Sequence, residues 1–498
     1  MPQTVAPKDA QPPLVLTIDV GTSSVRAFLY DAAGRSVEGV TAGERYTVGT
    51  GGDGTAQDDA EMALARIARC VDGVLAQAGP LASAIGSVSL DTLVSNIVAL
   101  DGGGRPLSPL ILYADTRNAD DAVALRREMD ERVVHDRTGA MLRTSYWPAR
   151  LAWFRRTQPA VWRDTAQWST LGAALELRLF GRARVSTSVA SWTGLLDRRR
   201  LVWDAPLLAA LDVAEDRLPP LADASEPIMG LAAPYASRWP ALRDVPWFPA
   251  IGDGAAANIG SGCTGPSRLA LTIGTTAAMR VVMPEVAAVP FGLWCYRVDA
   301  RRALLGGATS EGGNVYAWAR QTLNLGAPEA IEAALATLAA DGHGLTVLPL
   351  LAGERSPGWA GDAKAAIAGL TLGTTPTEIL RASLEAVAYR MAIIARSILA
   401  HDGGATQVVA SGGALLSSPT WLQIMADVLG RPIFASAEDE ATARGTALLA
   451  LAALRVIPSI DALPAAFGAQ YAPDGGRYAV YQAAIERQRQ LYTKLIEG

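Results

Sequence analysis

Two segments about half a chain apart repeat one local pattern. Residues 14–30, LVLTIDVGTSSVRAFLY, and residues 269–283, LALTIGTTAAMRVVM, each read as an apolar strand, a Gly-Thr turn, a short linker, an Arg and a second strand. Each predicts a β-hairpin, not a strand feeding a helix. No short-period repeat runs through the chain. The echo therefore points to two similar α/β halves, each opening on its own hairpin. A length of 498 residues, half of them hydrophobic, fits that reading because it exceeds what one ordinary core holds.

Both turns suit an anion. Glycine lets the backbone bend sharply and approach closely, and successive N–H groups and hydroxyls then donate to phosphate oxygens. Gly21-Thr22-Ser23 and Gly274-Thr275-Thr276 are accordingly candidate phosphate loops, and either alone also reads as a plain hairpin turn. Asp19, at the strand end beside the first loop, is placed to hold Mg²⁺ directly or through water. Arg26 would add positive charge there. Two later glycine turns, Gly312-Gly313-Asn314 and Ser411-Gly412-Gly413-Ala414, precede predicted helices and are candidate walls for a nucleotide. No GxxxxGK[ST] occurs, which excludes a P-loop. The GxGxxG at residues 260–265 runs into Pro266 and a strand, the wrong context for a dinucleotide site.

Asp253, in AIGDGAAANIG, stands at a predicted strand end between Gly252 and Gly254, ahead of a helix of small residues. Transfer of a phosphoryl group to an alcohol needs a base for the hydroxyl proton, and Asp253 is the candidate. A helix N-cap is the competing role, and one residue can fill both. Asp115 and Arg117, in YADTRN, form a polar tip after an apolar strand and are candidates for holding hydroxyls. Glu354-Arg355 reads as an ion pair bracing a Gly/Pro loop. His135, His343 and His401 show no triad or metal spacing, and no GxSxG elbow is present.

Composition narrows the partners. A net charge of −5 with no basic run excludes nucleic acid as the main ligand. Three scattered cysteines, Cys70, Cys263 and Cys295, build neither a disulfide framework nor a zinc site, and predict a reducing, cytoplasmic setting. No apolar run is long enough to cross a membrane, and the Pro-rich start, residues 1–13, reads as a disordered tail without a signal peptide.

Taken together these motifs resemble the FGGY carbohydrate kinases. The resemblance rests on DVGTSSVRA, YADTRN, the stretch around WPARLAW, GDGAAANIGSG, TIGTTAAMR, SEGGNVYAW, LAGERSPGW, AIAGLTLGTTPTEILRASLE and SGGALLSSPTWLQIMADVLGRPI, in family order from about residue 14 to 454. It implies two actin/hexokinase-like (ribonuclease H-like) domains with a central cleft, a sugar-binding domain over residues 14–258 and a nucleotide-binding domain over 259–498. It implies ATP and Mg²⁺ as cofactors. Asp19 looks like the metal-side carboxylate, Thr22, Ser23 and Arg26 the first phosphate set, and Thr275 the second. Gly313, Gly413 and Ser417 fall at nucleotide contacts, and Asp253 at the catalytic base.

This chain departs from the pattern near the acceptor. Val94-Ser95 stand where relatives often carry Met-His, Arg150 stands for a Lys, and Tyr113 for a Trp. Residues 291–320 are most similar to gluconate-kinase-like members, so Arg117 or Arg143 would then face a sugar-acid carboxylate bidentately. The expected partner is a small sugar or sugar acid, gluconate before xylulose, ribulose or a polyol, and the expected assembly a homodimer. A sugar or nucleotide sensor without turnover and an actin- or chaperone-like ATPase are the rival readings.

Overall fold

The computed structural model describes residues 3–401 and 404–498. Both hairpins form, and each lies at the centre of its own sheet. The first sheet holds β1 (Thr4–Val5), β2 (Leu14–Val20), β3 (Ser24–Tyr30), β4 (Ser36–Arg45), β5 (Ile85–Thr92) and β6 (Ile251–Gly252), in the order β1-β4-β3-β2-β5-β6. The second holds β7 (Arg268–Ile273), β8 (Ala277–Met283), β9 (Trp294–Asp299), β10 (Arg302–Thr309), β11 (Gln407–Ser411), β12 (Ile433–Ser436) and β13 (Phe467–Tyr471), in the order β9-β10-β8-β7-β11-β12-β13. In each sheet the hairpin has an antiparallel strand on one side and two parallel strands on the other. The duplication suggested by two short motifs is thus a duplication of sheet topology. β2 is buried along its whole length, as a central strand covered on both faces should be.

Helices follow from capping and apolar spacing. α1 (Ala60–Ala78) starts where Asp59 accepts the Met62 N–H, and its buried stripe includes Leu64, Ile67, Val71 and Val74. α2 (Asp253–Gly260) follows β6, and α3 (Gly313–Thr322) opens on the Gly312-Gly313 turn. α4 (Pro376–Leu399) begins with a capping box between Thr375 and Glu378 and a proline in its first turn. α5 (Pro419–Leu429) and α6 (Ala441–Ala453) follow it. α2 and α6, which follow the outer parallel strands of the two sheets, pack directly on each other. A Cβ on Gly260 would fall into the Ala441 carbonyl, and one on Gly445 into that of Ala256. Gly260, the first glycine of the GxGxxG, therefore serves helix–helix approach.

Two expectations need correction. Residues 1–13 are not a loose tail over their described part. Thr4 and Val5 pair in parallel with Ser36 and Val37, and Val5 is 5% exposed, so the segment closes the edge of the first sheet. The apolar run TARGTALLALAAL reads from sequence as the last clear helix of the chain, yet α7 (Gly475–Tyr492) follows it. Its buried stripe, Tyr481, Ala484, Ile485, Gln488 and Tyr492, mixes polar with apolar side chains and hides its period. Gln488 is accommodated by donating to the Val347 and Ala386 carbonyls at 2.8 and 3.3 Å.

Candidate functional site

Three carboxylates from separate parts of the chain meet where the sheets face each other. Asp19 ends β2 and stands in parallel register with Asp91 on β5. Asp253 opens α2 just after β6, and accepts the Gly254 N–H at 2.7 Å. Burial, first, and the nearby Asp19 charge lift the Asp253 carboxyl to about 6, against the pull of the Gly254 N–H and of Arg280. Asp91 is fully buried; burial and then Asp19 hold its carboxyl well above the ordinary range. One Asp91 oxygen accepts from Thr446 Oγ1 at 2.9 Å, while the other, Oδ1, is buried without a partner. Sequence reading passed over Asp91; an acid inside an otherwise apolar strand, SVSLDTL, was the available signal.

Arg26 is engaged by acids. It donates to Asp19 Oδ2 at 2.5 Å and to both Glu440 oxygens at 2.5–2.6 Å. Glu440 comes from the distant lead into α6, where no sequence signal marked it. The hydroxyl-bearing turn residues Thr22, Ser23, Thr275 and Thr276 are all exposed. Gly21 N–H donates to Ser24 O at 3.0 Å, and Gly274 N–H to Thr276 O at 3.1 Å, so the two turns share a closing bond.

The later glycine turns converge on the second loop. The Gly313 and Asn314 N–H groups donate to the Gly274 and Thr275 carbonyls at 2.8 and 3.1 Å. A Cβ on Gly313 would sit 2.6 Å from the Ala414 Cβ, which closes the distance between the two turns. Gly412 has φ +92°, and a side chain there would strike the Ile273 carbonyl. Gly413 faces open space, and Ser417 is exposed nearby, its hydroxyl on the Ala414 carbonyl at 3.1 Å.

A cleft of about 920 Å³ separates the halves, lined by Tyr113, Arg126, Arg143 and Ser145 on one side and Thr276, Ser310, Asn314, Arg355 and Trp359 on the other. A larger recess of about 1130 Å³ is lined by Asp223, Thr264, Arg302, Arg455 and Asp461; none of the three carboxylates lines either space, and only the smaller one reaches a Gly-Thr turn, at Thr276.

The expected acceptor contacts divide. Val94 lies beside the Gly252–Gly254 turn: a Cβ on Gly252 would be 3.0 Å from its Cγ1. Ser95 is withdrawn. It is 6% exposed and its hydroxyl donates to the Trp192 carbonyl at 2.7 Å, while buried Arg150 donates to the Ser95 carbonyl. Asp115 and Arg117 also belong to the wall's back. Asp115 accepts from the Ala56 N–H at 2.9 Å and pairs with Arg117 at 2.8 Å, and Arg117 lies 4.7 Å over the Trp153 ring. Their neighbours Tyr113 and Thr116 face the cleft instead. Arg143 does line it, paired with Glu131 and 5.5 Å from the Trp359 ring. Glu354 does not pair with Arg355: it bonds Arg390 and accepts from Tyr492 Oη at 2.6 Å. No histidine lines this cleft among the described residues; His135 meets the Leu293 carbonyl at 2.7 Å and His343 meets Glu385 at 3.1 Å.

Family comparison accounts for this arrangement. Residues 14–260 match the N-terminal domain, and residues 269–454 the C-terminal domain, of the FGGY family of carbohydrate kinases. The chain belongs to that family. Relatives include a gluconokinase from Bacillus subtilis, 25% identical with 92% of this chain and 91% of that protein covered. A xylulose kinase from Escherichia coli is 28% identical over 97% of this chain and 99% of that protein. The crystal structure of gluconate kinase from Lactobacillus acidophilus superposes with a TM-score of 0.90 at 23% identity, covering 97% of this chain and 98% of that one, and shows the same fold. This kinase is therefore a two-domain ATP-dependent carbohydrate kinase, and among its described residues no helix is long and apolar enough to cross a membrane.

The carboxylates fit a divalent cation. Asp19 and Asp91 sit side by side on adjacent strands, and Asp91 Oδ1 is a buried oxygen without a partner. An all-oxygen set of this kind suits Mg²⁺, which binds few protein carboxylates and keeps several waters.

Proposed function

We propose that this kinase phosphorylates a hydroxyl of a sugar acid of the gluconate class, using MgATP, with Asp253 as the general base. The observation that carries the reading is the position of Asp253: at the head of a small-residue helix, between two topologically equivalent sheets that each present an exposed Gly-Thr turn. Gluconokinases among the relatives favour the acid over xylulose or glycerol.

Asp253 takes the proton of the acceptor hydroxyl. The oxygen forms its bond to the γ-phosphorus as the bond from that phosphorus to the β–γ bridging oxygen breaks, and ADP leaves. The Gly21–Ser23 and Gly274–Thr276 turns donate N–H and hydroxyl hydrogens to phosphate oxygens, and the N-terminus of α3 adds positive dipole behind the second turn. Asp19, with Asp91 beside it, would hold Mg²⁺, which when bound neutralises charge on the phosphate oxygens. Gly313, Gly412, Gly413 and Ser417 form the nucleotide wall. Closure of the halves excludes water and limits wasteful hydrolysis. A cytoplasmic homodimer, with the domains meeting at residues 258 and 259, completes the proposal; sedimentation equilibrium tests the assembly.

The deciding experiment is coupled ADP release with gluconate, xylulose, ribulose, glycerol and erythritol. Acceptor-dependent release, greatest with gluconate, is expected from the wild type and none above background from a folded D253A that still binds ATP. Binding without turnover would identify a sensor. Release independent of any acceptor would identify an ATPase.

A further inference from the structure

Two hydrogen-bond donors flank the catalytic turn and have nothing to bond. Arg280 Nε, on β8, would lie 3.6 Å from a Cβ placed on Gly254, and Trp192 Nε1 would lie 2.7 Å from one on Gly252. Both nitrogens are buried without a partner. Leaving such donors desolvated is costly, so each calls for an acceptor atom brought in from outside. Arg280 has one long hydrogen bond, 3.4 Å to Thr272 Oγ1, and no ion pair among the described residues.

A second guanidinium faces the same space. Arg355 lines the cleft and makes neither an ion pair nor a side-chain hydrogen bond among the described residues. Burial, and then repulsion from Arg355, lower the basicity of Arg280, with Asp253 opposing them. Three nearby acids are committed elsewhere, Glu354 to Arg390, Glu131 to Arg143 and Asp115 to Arg117, which leaves Asp253 acting on Arg280 and Glu311 on Arg355 without an ion pair.

Resting on the kinase reading above, we propose that Arg280, assisted by Arg355 and by Trp192 Nε1, binds the carboxylate of the acceptor and sets the preference of this kinase for sugar acids. Arg280 stands four residues beyond Thr276 along β8, roughly 13 Å by strand rise. That places its guanidinium off the phosphate turn and beside the Asp253-Gly254 turn, within charge range of Asp253, so an acceptor whose hydroxyl meets the base lies within its reach. A planar guanidinium beside an indole N–H matches the two oxygens of a carboxylate. The assignment replaces Arg117, which is held behind the wall.

The test compares gluconate with its neutral counterpart glucitol, which carries CH₂OH in place of the carboxylate. The ratio of kcat/KM for the acid to that for the alditol should fall about ten- to a hundredfold in R280M, through KM for the acid, and R280K should recover part of it. R355M should lower the same ratio less. Circular dichroism and ATP binding serve as folding controls. An unchanged ratio in R280M, or an equal loss of kcat on both acceptors, overturns the proposal; the second outcome would assign Arg280 to the phosphoryl group. Calorimetric binding of gluconate separates the two readings. Arg280-dependent binding without ADP release would sink the kinase reading and sustain this one. Gluconate turnover that R280M leaves intact would do the reverse.

Discussion

Replacing Asp253 with asparagine should abolish turnover and also make the folded protein more stable near neutral pH. The carboxyl is held at about 6 in the folded state against an ordinary value of 3.8, with burial as the main cause. A group whose proton is bound more tightly in the folded state costs stability once pH exceeds the folded value, because burial then holds a charge that the unfolded chain leaves in water. At about 1.36 kcal/mol per pH unit, the cost of the ionised Asp253 at pH 8 is about 3 kcal/mol, an order-of-magnitude figure. Asparagine is nearly isosteric, keeps an oxygen to accept the Gly254 N–H, and carries no charge. The gain should be complete above pH 6, shrink as pH falls from 6 towards 3.8, and vanish below that. Paired urea titrations of wild type and D253N at pH 8, 6 and 4.5, followed by tryptophan fluorescence, read the difference in midpoint. An equal difference at pH 8 and pH 4.5, or a D253N less stable than wild type at pH 8, would refute the reasoning.

The same ionisation should show in kinetics: kcat/KM rises about tenfold per pH unit up to about 6 and then levels, because only ionised Asp253 accepts the hydroxyl proton. A flat profile from pH 5 to 8 would contradict it. G445A drives a methyl into the Ala256 carbonyl of α2 and should cost about 1–3 kcal/mol in urea unfolding and lower kcat, since α2 carries Asp253. Wild-type stability and turnover in that variant would show that the helices need no such approach. R390M strands buried Glu354, leaving it only Tyr492 and backbone contacts, and should cost about 3–5 kcal/mol, largely recovered by adding E354Q; absence of recovery would mean that the pair is not the source of the loss.

Local signals reached some parts of the site and missed others. The hairpins, Asp253 and the small-residue helix behind it were legible because each combines an apolar strand with a glycine turn whose backbone chemistry is local. α4 was legible from its amphipathic spacing over about 376–400, and the structure adds the capping box that starts it. Asp91 was not, because its meaning depends on the parallel register that sets it beside Asp19. Glu440 and Thr446 were not, because they reach their partners Arg26 and Asp91 on the first sheet across 414 and 355 residues of chain. Ser95 was expected at the acceptor from its place in the family pattern, and Asp115 and Arg117 from their position in a polar tip after an apolar strand. The turn after β5, with Ser95 at φ 56°, and the hydrogen bond from Ala56 turn them inward.

The sequence by itself determined that this chain has two halves of one design, each with a Gly-Thr turn at its central hairpin, and one acid between them suited to take a proton. Those are local facts, written in short stretches whose conformation depends on neighbours in the chain. Only the tertiary structure decided which charges are free. Arginines at 26, 117, 143, 280 and 355 look alike in sequence, yet the first three are held by carboxylates and the last two are not. Pairing is settled by folding: Asp115 and Glu131 take Arg117 and Arg143 within the first half, Glu440 reaches Arg26 only when the two halves meet, and Arg280 and Arg355 are left without an ion pair among the described residues.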